Sequence, residues 1–136
     1  MTVRVLEITT YPPNARRYET RAVDEPTWAD VEASIRNLDH HERPFVFLGL
    51  EDNDHESDCL SVLGGPRGYA ITGTLGSERW YQFADPTHGD DEVAVWTSDQ
   101  GFYPPARNVC YDLDLVMKIA KYFCEQGQLA PFVQWE

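Results

Sequence analysis

The chain has 136 residues, 42% of them hydrophobic, and a formal charge of −12, enough apolar material for one domain spanning 1–136 and too acidic a composition to favour nucleic acid or anionic lipid as a partner. No segment reaches the roughly 20 apolar residues that span a bilayer, and Met1-Thr2-Val3-Arg4-Val5 lacks the apolar run and small-residue cleavage site of a leader. The expected compartment is therefore the cytoplasm.

Thr2 to Thr10 alternates, with Val3, Val5 and Glu7 against Arg4, Leu6 and Ile8, which predicts a strand whose inward face the pattern does not settle. Tyr11-Pro12-Pro13-Asn14 ends it. Arg16 to Val23 is polar and is either a second strand or a loop. Thr27 is placed to cap a helix, with Asp30 as the capping-box acid and Trp28, Val31, Ile35 and Leu38 as the apolar face. Asp39-His40-His41-Glu42 unwinds it. Phe45, Val46, Phe47 and Leu48 form a continuous apolar run, the signature of a strand covered on both faces.

Cys59 to Leu63, Tyr69 to Leu75, Arg79 to Phe83 and Val93 to Thr97 then follow at strand lengths, separated by turn-rich links such as Gly64-Gly65-Pro66 and Gly76-Ser77. Links this short join antiparallel neighbours, because a parallel crossover needs a dozen or more residues. Pro104 and Pro105 make 100–107 a covering loop. Asp112 is a helix N-cap, Asp114 adds charge to the first turn, and Gly127 suits the left-handed position after the last turn. Between them Leu113, Val116, Met117, Ala120, Phe123 and Cys124 make a helical stripe. A closing strand follows Pro131, with Phe132, Val133 and Trp135 as packing residues. The predicted fold is α+β, a mostly antiparallel sheet of about five to seven strands with two helices packed on one face.

The charge is unevenly placed. Residues 44–106 hold eleven acids against Arg67 and Arg79 alone. Five carboxylates fall within Glu51 to Asp58, where three chemistries compete. A calcium loop would use alternating oxygens but also needs a central glycine and a distal glutamate, both absent. An acid/base pair needs burial that a hairpin tip does not give. A docking surface needs only an exposed negative protrusion, although a plain solvated tip fits the same residues.

Elsewhere the signals are weak. Cys59, Cys110 and Cys124 are too widely spaced for a zinc site or a disulfide framework and read as buried thiols. His40, His41, His55 and His88 show no metal-ligand spacing. Gly64-Gly65-Pro66-Arg67-Gly68 lacks the Lys-Ser/Thr ending of a phosphate loop. No metal or cofactor is expected. Trp80 and Tyr81, adjacent on a strand, must point to opposite faces, so one of them lies away from the helices.

Gly64-Gly65 after a strand, Trp80-Tyr81, the Pro104-Pro105 loop, Val109 before a helix ending Phe123-x-x-x-Gly127, then Leu129-x-Pro131 and Val133-x-Trp135, resemble a family of small immunity proteins of bacterial polymorphic-toxin and contact-dependent competition systems. The resemblance runs from Phe45 to Glu136. It implies an α+β fold, no catalysis, and stoichiometric binding to a cognate toxin, often a nuclease or deaminase. Together with the acidity, it predicts a non-catalytic toxin-binding protein, its oligomeric state open. The predicted recognition surface combines Glu51, Asp52, Asp54, Glu56 and Asp58 with Asp85, Asp90, Asp91 and Glu92, anchored by Trp80 or Tyr81. If these loops share one end of the sheet their fields add; at opposite ends they are independent turns. The alternatives are a small enzyme with a pocket between the open sheet face and the Pro104-Pro105 loop, or a structural or adaptor module.

Overall fold

The computed structural model describes residues 1–13, 17–50, 58–76, 79–99 and 101–136. In chain order these form β1 (Val5–Thr10), β2 (Glu19–Asp24), α1 (Trp28–Arg36), β3 (Phe45–Gly49), β4 (Cys59–Gly65), β5 (Gly68–Leu75), β6 (Arg79–Ala84), α2 (Leu113–Gln126) and β7 (Gln134–Trp135), with short 3₁₀ turns at Pro86–His88 and Ala106–Asn108. The strands make one sheet in the order β2-β1-β3-β4-β5-β6-β7, antiparallel at every pairing. The predicted α+β architecture is present, with seven strands and both helices on one face.

Local chemistry sets the helix ends. Thr27 Oγ1 accepts from the Asp30 N–H at 3.2 Å while Asp30 Oδ2 accepts from the Thr27 N–H at 2.9 Å, so two amides at the start of α1 are satisfied reciprocally. Asp112 Oδ1 accepts from the N–H groups of Asp114 and Leu115. Gly127 sits at φ +67°, donating to the Phe123 carbonyl at 2.8 Å, a left-handed cap that costs glycine nothing. At the β4–β5 hairpin Gly64 has φ +123°, and a Cβ there would lie 2.2 Å from the Gly68 carbonyl oxygen. Only glycine fits that turn.

The main core lies between the helices and one sheet face. Leu6 of β1, Val46 and Leu48 of β3, Leu60 and Val62 of β4 and Ile71 of β5 pack with Val31 and Ile35 of α1 and with Val116, Ile119, Ala120 and Phe123 of α2, all essentially without solvent exposure. Each such Val, Leu, Ile or Phe side chain contributes about 1.5–3 kcal/mol by leaving water.

Two expectations are corrected and one open question is resolved. The segment from Val93 to Thr97 is not a sheet strand: Val95 donates to the Phe102 carbonyl, and Trp96 with Phe102 and Glu92 with Pro105 form isolated bridges. This arm instead folds across the far face of the sheet, where Val95 and Val109 bury Leu63 and Ala70. Its partner segment carries two prolines, which lack the donors a longer ladder needs. At the C-terminus, β7 is two residues long and Phe132 is not in the core; it is 53% exposed, edge-on to Tyr122 with centroids 5.9 Å apart. The inward face of β1 was ambiguous because both faces find apolar cover: Leu6 and Ile8 join the helix-side core, whereas Val5 is buried with Phe47 and Cys59 opposite.

Candidate functional site: the uncovered face of the sheet

Both helices use one face, so alternate residues of every strand are left to the other. The register arranges them in three rows. Thr9, Phe45, Leu63 and Ala70 form the first, which the arm at Val95 partly covers. Glu7, Phe47, Ser61, Thr72 and Gln82 form the second, across five strands. Cys59, Thr74 and Trp80 form the third. Above the open rows lies a cleft of about 480 Å³, within the usual range for binding pockets.

Aromatic side chains wall it. At one end the Tyr11 ring packs against Tyr18 and Trp96, with centroids 5.6 and 5.7 Å apart. Tyr11 Oη donates to Asp99 Oδ2 at 3.2 Å, and Trp96 Nε1–H donates to Ser98 Oγ at 2.6 Å, so both rings are fixed from behind. Burial, then the Asp99 carboxylate, push the Tyr11 phenol up to about 12. At neutral pH Tyr11 is therefore an uncharged wall. At the other end stands Trp80, on the open face beside Thr74 and 57% exposed.

The polar groups are mostly hydroxyls. Thr9, Thr20, Ser61, Thr72 and Thr74 line the cleft, and Glu7 is the charged residue among the described residues that do so. Cys59 lies in the floor, where burial pushes its thiol up despite hydrogen bonds to Thr74 that act the other way. A protonated, 7% exposed thiol is a packing group rather than a nucleophile. Among the described residues no histidine lines the cleft. His41 Nδ1 lies 2.8 Å from Thr97 Oγ1 and His88 Nδ1 lies 2.9 Å from the Val109 carbonyl, which are structural roles. Among the described residues, no three His, Cys, Asp or Glu side chains are grouped for a metal, and no helix is long and apolar enough to cross a membrane.

The predicted recognition residues divide. Trp80 is on the open face. Tyr81 is on the other, under the Arg79 guanidinium at 5.5 Å from its ring centroid. Asp58 lies at the Trp80 end, its Oδ1 accepting from the Gly76 N–H at 2.9 Å. Glu51, Asp52, Asp54 and Glu56 lie outside the described residues. Asp85, Asp90, Asp91 and Glu92 follow β6 and so lie at the opposite end of the sheet from Asp58, separated by about the length of a strand, roughly 17–20 Å. Two of them have partners: Asp85 accepts from the Thr87 hydroxyl at 2.6 Å and amide at 3.0 Å, which holds its carboxyl below the usual range. Asp90 is paired with Arg107. Among the described acids, Asp58 therefore lies apart from Asp85, Asp90, Asp91 and Glu92. The expected Pro104-Pro105 pocket is also displaced: Pro104 is buried, its carbonyl accepting from Val93, and Trp96 borders the cleft instead.

Tyr11, Tyr18, Phe45, Phe47 and Trp96 were not foreseen as site residues. The signal was present in β3, where Phe45 and Phe47 alternate with Val46 and Leu48, and two helices cover only one of those faces.

No protein-family model and no curated protein matches the chain. Among solved structures it is similar to a hypothetical protein from Neisseria gonorrhoeae, with a TM-score of 0.59 over 94% of this chain and 90% of that one, at 10% identity. A likeness at that identity bears on the fold alone.

Proposed function

We propose that the protein is a non-catalytic acidic binding domain that neutralises a cognate bacterial toxin of nuclease or deaminase type by stoichiometric binding in the cytoplasm. The observation that carries this reading is the open sheet face: a concave aromatic surface with an exposed tryptophan at its rim and, among the described residues, no lysine or arginine in its lining. Such a face offers a large apolar contact to a partner whose basic surface is drawn by the overall charge. The resemblance of the chain from Phe45 onward supplies the toxin as the kind of partner. An enzyme would need an acid/base or nucleophile/base pair in the cleft, and its described lining offers Glu7 with a protonated Cys59.

The test is co-expression with the C-terminal domain of a large secreted protein encoded next to this gene. Growth should be rescued, a stoichiometric complex should form, and Trp80→Ala should weaken it by about 2 kcal/mol or more, as a central aromatic anchor does. Failure to rescue, or capture that ignores Trp80, sinks the reading.

A further inference from the structure

In a chain of 23 acids against 11 bases, the two lysines, Lys118 and Lys121, both lie on the outer side of α2. With Tyr122 and Glu125 they fall at i, i+3, i+4 and i+7, one stripe on the side of the helix opposite its buried residues. The stripe borders a groove of about 410 Å³ whose other wall is Phe132. That ring is 53% exposed and meets Tyr122 edge-on, with centroids 5.9 Å apart. Lys121 is engaged within its own chain, its ammonium 5.8 Å from the centroid of the Trp28 ring. Lys118 and Glu125 are exposed, and neither has an ion-pair partner among the described residues.

We propose that this stripe is the contact surface of a homodimer, α2 of one copy lying antiparallel against α2 of a second, beside Phe132. The order of the charges selects a second copy as the occupant. A two-fold axis passing between Lys121 and Tyr122 sets Lys118 against Glu125 of the second copy and Glu125 against its Lys118, so one patch serves both sides, as a closed two-fold contact requires. Lys118 and Glu125 are separated by about 10 Å along the helix, and packed helices lie about 8–10 Å apart, within reach of both side chains. Phe132, on the flank, leaves water against the incoming helix. A purely acidic partner would satisfy Lys118 and repel Glu125, and a purely basic one the reverse. An anionic membrane is opposed by the net charge of −12, and two lysines fall short of the cluster of about four to eight that such surfaces use. Repulsion between two acidic copies acts at longer range than these contacts and is the part that physiological salt screens, with a Debye length of about 8 Å. Because α2 lies between the stripe and the sheet, the dimer leaves the open sheet face uncovered, and the inference stands apart from the toxin reading.

The test is sedimentation equilibrium of the full chain over a range of concentrations at physiological salt, where a monomer–dimer equilibrium should be seen. Lys118→Glu alone, or Glu125→Lys alone, turns two symmetry-related attractions into repulsions and should weaken the dimer by about tenfold or more. The two single variants mixed together should recover it as a heterodimer, because each carries the charge that the other's altered stripe requires. Both changes in one chain should restore the homodimer. Phe132→Ala should weaken association while leaving the charge preference in place. All three positions are exposed, so circular dichroism and urea unfolding of each variant should match the parent and show that the fold is intact. A chain that stays monomeric at every soluble concentration overturns the proposal. So does a dimer that either reversal leaves unweakened, or one that mixing the two variants fails to recover.

Discussion

Trp80 and Tyr81 are neighbours in sequence and have opposite fates, because a strand sends successive side chains to opposite faces. Tyr81 lies on the helix-covered side under Arg79, whereas Trp80 is 57% exposed. Trp80→Ala should therefore leave urea-unfolding stability within about 0.5 kcal/mol of the parent, as surface substitutions do; a larger loss would mean that the indole is a core group. Tyr11 carries a different consequence. Its folded-state pKa, about 12 against an ordinary 10.0, means the folded protein holds the phenolic proton more tightly than the unfolded chain. The stability this gives is fully present below pH 10 and is lost as pH rises from 10 to 12. Tyr11→Phe should accordingly show a shallower fall in stability over that window, measured by unfolding at fixed pH values; parallel curves would place the phenol in water. The thiols of Cys59, Cys110 and Cys124 are all pushed up by burial, so a thiol reagent at pH 8 should label the native protein slowly and all three sites after denaturation.

At the scale of elements, α2 contributes six buried side chains to the core. Phe123, in its last turn, is fully buried, and Phe123→Ala should cost about 3–5 kcal/mol in urea unfolding, whereas Asp112→Ala should cost about 1 kcal/mol by orphaning two amides. A Phe123→Ala cost near that of the cap would show that the stripe is not the core. Both helices were legible in the sequence because caps and periodicity are local signals: Thr27 with Asp30, and Asp112 with Gly127, act within one turn. The meander from β3 to β6 was legible for the same reason, its links being too short for crossovers. Val93 to Thr97 was misread because strand composition does not say whether a ladder partner exists, and its actual partner is the proline-bearing arm around Phe102. Phe132 was misread because a hydrophobic residue after Pro131 looks the same in sequence whether the chain packs or turns outward.

At the scale of the whole molecule, the sequence showed that the charge is concentrated in residues 44–106 but not where the fold would put it. Strand order and direction decide that: Asp58, just before β4, falls at the end of the sheet where β6 begins, and Asp85 to Glu92 at the end where β6 finishes. The cleft was likewise hidden, since Tyr11, Phe47 and Trp96 come together only through pairings of β1 with β3 and the return of the arm. The separation has a measurable consequence. At physiological salt the Debye length is about 8 Å, less than half of the roughly 17–20 Å between the two acidic ends, whereas at 0.01 M it is about 30 Å. Each end should therefore act on partner association by itself at physiological salt, and both together at low salt. Asp58→Asn keeps the oxygen that accepts from Gly76 while removing the charge beside the Trp80 end of the cleft. A second variant, with Asp90, Asp91 and Glu92 changed to Asn, Asn and Gln, removes charge from the far end. Stopped-flow association with the proposed toxin partner should be slowed more per charge by the first change than by the second at 0.15 M salt, and by similar amounts per charge at 0.01 M, with dissociation nearly unchanged in both, because steering acts on the encounter. A larger effect per charge from Asp90, Asp91 and Glu92 at 0.15 M would move the contact surface from the open face to the far end of the sheet.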